Sequence, residues 1–347
     1  MLLIHWVPPG SQLATRDVAE AYQIIPLHHS QWPSKVVHMG DDAFAINTAL
    51  AFGSGPSAGT YGTVRNAASD ILWFQGIGPI SSWVNDHLFF QIPCSSLPEY
   101  NQKHRTWNGD IISRGEHQDE GRIWFKGRRF EDGMLEEFDE DCTFPCKDLS
   151  ASSDWPAEDR SYAYNFDDID AASWLLGIPW EVSKDRPFAS STTYISFNWN
   201  IETNRVSLAD SKKEKYLTAI ENWLLQTSHT LEEVEKLYRK LLHACLVRPT
   251  GWAYLMKLEC MLGIFHDSPL IPHSSPRGLQ KDLEWWVNEL QQPILSTTIP
   301  QSVSLYDSDA FSDASSEFRI TITIGDKWRA SCLIPGWKTL DGQWDIR

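Results

Sequence analysis

The hydrophobic period of this chain changes at Lys212, and that change limits its fold more than any other feature. Beyond it, Tyr216, Ile220 and Leu224 recur every four residues, and Thr230 with Glu233 sets a capping-box pattern ahead of Leu231, Val234, Leu237 and Leu241. Two more helices are predicted, over Trp252 to Ile264 and from Ser275-Pro276 to the stop at Pro293. Before Lys212 the pattern is mixed. SKVVHMG, AFAINTALAF and ISSWVNDHLFFQI are short β-rich runs, Thr60 to Phe74 is helix-compatible, and TTYISFNWN predicts a strand. The last 55 residues return to strand period in FRITITI, with KWRASCLIPGW as its partner. Blocks of strand period and helix period in one chain make an α+β protein, and no repeat of 20 to 50 residues is evident.

Composition narrows the function classes. At 347 residues with 42% hydrophobic content, the chain can bury a sizeable core. No run approaches the roughly 18 apolar residues of a membrane span. The opening MLLIHWVPPG lacks the basic leader of a secretory signal, so an intracellular protein, cytoplasmic or nuclear and not secreted, is expected. The six cysteines are scattered, with only Cys142 and Cys146 close together, which reads as free thiols rather than zinc ligands. The net charge of -16 opposes general nucleic-acid binding, yet it is concentrated. Between Asp110 and Asp170 there are 18 acidic and 7 basic residues, whereas Arg205 to Glu289 balances 11 against 11. The acidity therefore belongs to one segment, read as a solvated loop with a hairpin at GRIWFKGRRFEDG.

Several residues invite a chemical reading. Gly55-Pro56-Ser57-Ala58-Gly59 matches a nucleophile elbow, but Pro56 is awkward there and no α/β succession follows. His28-His29 are adjacent on an extended chain, point to opposite faces, and read as surface histidines. Trp223, Trp252 and Trp286 lie in predicted helices beside apolar positions and read as core. Asp17 with Glu20 has capping-box spacing, or else Asp17 is a metal-binding carboxylate that needs a second one from elsewhere. Asp86, at the tip of the apolar hairpin SWVNDHLFF, is the natural second carboxylate.

At this point the chain resembles a known family. Asp17-x-x-x-Ala21-Tyr22, then Phe52-Gly53 with Pro56 to Tyr61, then Trp83-Val84-Asn85-Asp86 resemble in order three palm motifs of retroelement reverse transcriptases. LGIPWEVSK at 176 to 184 is similar to the palm's helix-to-lysine motif, and TTYISFNWN to the strand after it. LLHACLVRPTGWAYLMKL and DLEWWVNEL are similar to the thumb and connection of fungal-type retroelement polymerases, and FSDASSEFRITITIGDKW to the start of a ribonuclease H domain. The resemblance implies a polymerase palm sheet with packed helices at 1–93 and 165–204, an acidic insertion at 94–164, an all-helical thumb and connection at 205–292, and a truncated ribonuclease H-like segment at 293–347. It implies template-directed DNA synthesis from dNTPs with Mg²⁺ or Mn²⁺ on a primer-template, by a two-metal mechanism. Asp17 and Asp86 would be metal-binding carboxylates, Tyr22 a steric gate at the sugar and Gly53 a neighbour of the templating base pair. Lys184 would stand near the leaving pyrophosphate, and Asp313 would be the first ribonuclease H carboxylate.

The departures from the family pattern carry as much as the matches. The family has two aspartates at the hairpin tip, and here the first is Asn85, a neutral amide and a poor ligand for a hard dication. The fingers are expected to be absent, or supplied by another polymerase chain. Ser196 stands where the family has Gly, and Arg319 replaces another Gly. On the same resemblance, the second ribonuclease H carboxylate is expected to be missing. The expectation is a reverse transcriptase fragment that is inactive or severely impaired. The alternatives are a domesticated scaffold that binds nucleic acid or protein without chemistry, or a non-functional relic. Charge along the cleft between palm and thumb discriminates between these readings: basic favours retained nucleic-acid binding, and acidic favours a protein partner or no function.

Overall fold

The computed structural model describes residues 4, 7–114, 116–117, 123–129, 135–138, 144–152, 159–265, 269–299, 310–314, 319–325 and 327–332. The chain divides into two units, Met1–Ile299 and Pro300–Arg347.

The first unit is organised around Gln12–Asp17 (β1), a strand buried on both faces. Val36–Gly40 (β2) and Ala43–Ile46 (β3) form a separate two-stranded hairpin with every residue exposed. Ile80–Trp83 (β4) and Asp86–Gln91 (β5) form the hairpin expected from SWVNDHLFF, and β5 pairs antiparallel with β1. Between these hairpins runs a helix, Ser57–Gln75 (α1), which ends at Gly76 with φ +101. A Cβ at Gly76 would lie 2.5 Å from the Lys147 Cβ, so both the left-handed backbone and the close approach require glycine there.

The polar 94–164 segment is more structured than its composition suggested. Leu97–Arg114 (α2) is a helix whose Leu97 and Tyr100 enter a core with Leu72, Trp73, Phe89, Ile92 and Ile169. Asn101 clamps the Cys146 backbone in both directions, donating at 2.8 Å and accepting at 3.0 Å. Cys146, Ala163 and Tyr164 are buried in the same core, and the Tyr164 hydroxyl donates to the Phe90 carbonyl at 2.8 Å. Both ends of the segment are therefore built into the unit rather than looped out of it. Within it, Glu116–His117 (β6), Ile123–Arg129 (β7) and Leu135–Phe138 (β8) form a small sheet, while the Asp132-Gly133 turn lies outside the described residues.

Phe166–Leu176 (α3) starts at an Asn165 capping box and stops at Gly177, which has φ +67. It leads through a short 3₁₀ turn, Val182–Lys184, into Arg186–Ala189 (β9), which pairs with the free side of β1. The first sheet thus has the order β4-β5-β1-β9.

TTYISFNWN is a hairpin and not the single strand expected: Ser191–Tyr194 (β10) turns at Ile195-Ser196 into Phe197–Asn200 (β11). Both turn residues have positive φ, +43 and +71, the geometry of a two-residue hairpin turn that favours Asn-Gly. Arg205–Leu208 (β12) continues this second sheet. The helical unit follows with Asp210–Leu224 (α4), Leu231–Cys245 (α5), Met256–Ile264 (α6) and Leu279–Leu290 (α7). The Thr230–Glu233 capping box forms as expected. Ser228–His229 (β13) and His273–Ser274 (β14) tie its loops together, and Ser296–Thr298 (β15) closes the order β10-β11-β12-β15. One core runs through sheet and helices, with Phe197, Val206, Ile220, Leu237, Leu258 and Trp286 among its members. Trp223 and Trp286 are buried in it, whereas Trp252 is 54% exposed in a 3₁₀ turn, contrary to its core reading.

The second unit is an antiparallel meander of Ala310–Ala314 (β16), Arg319–Ile324 (β17) and Lys327–Cys332 (β18). Asp313 pairs with Thr321 across β16 and β17, and its side chain lies outside the described residues.

Candidate active site

The last two residues of β1 point to opposite faces of the sheet, as strand period demands. Arg16 enters the interior with 2% of its side chain exposed, its guanidinium 4.9 Å from the ring centroids of both Phe166 and Trp180. It pairs with Asp170 and, at 2.8 Å, with Asp185. A buried guanidinium held between two rings and two carboxylates fixes the end of β1 to the 166–185 segment.

Asp17 lies on the other face, directly opposite Asp86 in the β1–β5 register. Its backbone carbonyl accepts from Glu181 N–H at 2.8 Å, and Val18 N–H donates to the Asn85 carbonyl at 3.0 Å, so three chain segments meet at one carboxylate. Asn85 Nδ2 donates to Asp17 Oδ1, and Lys184 Nζ donates to Asp17 Oδ2. Each oxygen of Asp17 therefore faces an N–H donor. Burial first, and the Asp17 charge second, raise the pKa of Asp86 despite the opposing effect of Lys184. The hydrogen bond to Asp17 in turn raises that of Lys184.

The turn that presents Asn85 is strained. Val84, a β-branched residue, has φ +52 at the first position of the two-residue loop between Trp83 and Asp86. Behind it His87 is buried, with Nδ1 3.1 Å from the Asn85 carbonyl, and its ring meets Trp180 edge to face at 5.2 Å. Burial pulls its pKa down to about 4.

A cleft of about 570 Å³ opens over this cluster. Asp17, Asp86, Asp185, Lys184 and Arg186 line it, and Arg16, also at its wall, turns its guanidinium into the interior.

The structure thus brings together Asp17, Asn85, Asp86 and Lys184. Tyr22 lies in an adjoining small core with Val18, Ala21, Leu50 and Tyr61, 4.6 Å edge to face from the exposed Phe52 ring. Burial pushes Tyr61 up to about 12. Gly53 has φ +79 with open space beside it and lies apart from the carboxylates in the described contacts, and Asp313 belongs to the second unit. Ser57 of the elbow-like motif is buried at the start of α1 rather than exposed on a strand-to-helix tip, and His28 and His29 are exposed. Asp17 ends a strand and caps no helix. Sequence reasoning missed Arg16, His87 and Trp180. No local signal marked Arg16, since a cation beside Asp17 in a strand-compatible run reads equally as solvated.

Whether this donor set suits divalent cations follows from its chemistry. Hard dications take several oxygens, and two-cation sites need carboxylates that bridge. Here Asp17 already accepts from an amide and an ammonium, and Asn85 offers a donor where a third carboxylate would stand. Among the described residues, no group of three or more His, Cys, Asp or Glu side chains converges on a common point. The residues do not fit a two-cation centre.

No protein-family model and no curated protein matches this chain. Solved structures do. The foamy viral protease-reverse transcriptase dRH in complex with ds DNA matches with a TM-score of 0.50 at 12% identity, over 96% of this chain and 45% of that one. The foamy viral protease-reverse transcriptase in complex with RNA/DNA hybrid matches at 0.47 and 13%, over 93% and 33%. This chain thus spans less than half the length of either structure. No described helix is long and apolar enough to cross a membrane. The mixed sheets and helices that carry the Asp17 cleft have an α+β, reverse-transcriptase-like fold.

Proposed function

We propose that this chain is a retroelement-derived reverse transcriptase core that holds nucleic acid but does not extend a primer. The observation that carries the reading is the Asn85 amide donating to Asp17 Oδ1. In the ancestral reaction two Mg²⁺ ions would gather around paired carboxylates at this position, and this chain has replaced one of them by a hydrogen-bond donor. Lys184 completes the neutralisation by donating to the other oxygen. The cleft keeps a polymerase-like architecture while its central carboxylate is satisfied from within. Its mixed charge, Asp17, Asp86 and Asp185 beside Lys184 and Arg186, favours neither a purely acidic nor a purely basic partner, and a solved structure of similar fold holds ds DNA.

The test is primer extension on an RNA template with Mg²⁺ and then Mn²⁺, together with binding of the same primer-template. Binding without extension is the expected result, and extension by the unaltered chain sinks the proposal. A second reading, docking of another polymerase chain, is favoured by the β2–β3 hairpin, where Val36, Phe44 and Ile46 are more than half exposed. Co-elution of two chains in gel filtration, lost in a Phe44→Ser Ile46→Ser variant, would support it.

A further inference from the structure

The β2–β3 hairpin ends in two open edges. An isolated two-stranded hairpin is marginally stable in water, and three or more strands are needed for independent stability. Val36–Gly40 and Ala43–Ile46 pair only with each other, so both outer edges carry unpaired backbone groups. Edge strands are ordinarily blunted by charged side chains or proline, yet VVHMG contains no Lys, Arg, Asp, Glu or Pro. Every residue of the hairpin is exposed, Met39 at 68% and Phe44 at 67%. The turn is nonetheless well defined. Asp41 and Asp42 take φ +47 and +57, positive at both positions of a two-residue loop, as a type I′ turn requires.

A second, independent observation names the partner. Charge along β2 is polarised, with Lys35 just before its start and Asp41-Asp42 just beyond its end. Lys35 donates to the neutral Ser54 Oγ at 3.1 Å, and neither it nor the two aspartates is ion-paired among the described residues. A strand with a cation at one end and anions at the other complements itself when run antiparallel. A two-fold axis at His38 brings Lys35 of each copy to the Asp41-Asp42 tip of the other, which makes the contact isologous. The same axis sets Val37 opposite Met39 twice, and His38, whose ring lies 5.0 Å from that of Phe44, opposite its own counterpart. The β3 edge has no such pattern, because an antiparallel pair of β3 strands would set Asp42 against Asn47.

We propose that two copies of this chain join through β2, antiparallel about His38, into one four-stranded sheet of order β3-β2-β2-β3. The proposal rests on the docking reading above and names the docked chain as a second copy. A five-residue edge buries less than the roughly 1,200 Å² of a standard interface, so the dimer is weak and reversible. Removing two exposed ion pairs per dimer lowers the association constant roughly 2- to 30-fold.

The experiment is sedimentation equilibrium of the full chain, carried to about 0.5 mM because so small an interface is weak. The variants are Lys35→Gln, Asp41→Asn Asp42→Gly and their combination, with circular dichroism to verify folding. Asp41→Asn Asp42→Gly removes both acids while supplying the Asn-Gly pair that this turn prefers. Each variant should weaken the dimer by the stated factor, and the combination no further than either alone, because the partner of the removed charge has already gone. Raising salt from about 0.05 M to about 0.5 M should weaken the parent dimer and leave the combined variant nearly unchanged. A parent that stays monomeric overturns the self-pairing and leaves docking of a different polymerase chain standing. A parent dimer that ignores the charge variants but is lost in Phe44→Ser Ile46→Ser overturns the β2 register and keeps the hairpin as a docking surface. A dimer that none of these variants weakens overturns both.

Discussion

Replacing Asn85 by aspartate tests the central contact most directly. In the parent, the Asn85 amide donates to an Asp17 side chain that is only 10% exposed. Hydrogen bonds to charged groups contribute about 1.5–3 kcal/mol, and Asn85→Asp removes this one. It also sets two carboxylates side by side. At about 4 Å and an effective dielectric of about 20, their repulsion is about 4 kcal/mol, reduced by the Lys184 ammonium nearby. A net loss of about 3–5 kcal/mol in EDTA is therefore expected. A divalent cation should restore part of it, because a third carboxylate beside Asp17 and Asp86 makes a ligand set that the parent lacks. At about 10 mM cation, a Kd of roughly 1 mM gives about 1.4 kcal/mol and one of roughly 0.1 mM about 2.7. Thermal unfolding of parent and variant, in EDTA and in Mn²⁺, reads both effects. The parent should be indifferent to the cation, while the variant should be less stable without it and recover with it. A variant as stable as the parent in EDTA, or a parent that itself responds to Mn²⁺, would show that the amide is not the substitute argued for.

Three other outcomes follow from the same geometry. Arg16→Met strands Asp185, whose side chain is 13% exposed, and should cost about 3–5 kcal/mol in urea unfolding. Adding Asp185→Leu should recover most of that loss, and a double variant as weak as the single one would contradict the ion-pair account. His87, held down to about 4, cannot take up the proton that the unfolded chain binds near its ordinary 6.5. Stability should thus be full above about pH 6.5 and fall by up to about 3 kcal/mol toward pH 4. Asp86, with its raised pKa, acts in the opposite sense at the acid end of that range. His87→Gln should flatten the urea-midpoint profile between pH 7 and 4.5, and an unchanged slope would assign it to other groups. Ser196→Gly should stabilise the β10–β11 hairpin by about 0.5–1 kcal/mol, because glycine adopts the positive φ there without strain. A lower melting temperature for that variant would mean the serine side chain is doing something at the turn that its geometry does not reveal.

Much of the fold was legible where one local rule dominated. The α1 helix, the SWVNDHLFF hairpin, the Thr230 capping box and the strand pairing of FRITITI each rest on a pattern within a few residues. What was missed rests on partners far along the chain. Leu97–Arg114 is polar in sequence and is placed by Tyr100 and by Asn101 on the Cys146 backbone. TTYISFNWN hid its turn because Ile195-Ser196 lacks the Gly or Asn that ordinarily takes the positive φ both residues adopt. At the site, Asp17, Asn85, Asp86 and Lys184 came from ordered motifs. Arg16 did not, because nothing local distinguishes a buried cation from a solvated one until Asp170, Asp185 and the two rings are in place. Trp252 shows the converse, an aromatic at an apolar position that the fold leaves in solvent.

The order β4-β5-β1-β9 also says when this site can form during folding. β1 meets β5 across a sequence separation of 68 at Asp17 and Asn85, and meets the Lys184 turn across 167. By loop-closure entropy the longer connection costs only about 0.8 kcal/mol more than the shorter. Yet contacts of greater sequence separation slow the search, so completing the site takes long even though the end state is cheap. A nascent chain that has emerged only through the SWVNDHLFF hairpin already holds Asp17, Asn85 and Asp86, but one flank of β1 is still unpaired. That flank is an open strand edge, the kind of surface on which chains cross-pair, until synthesis passes Ala189.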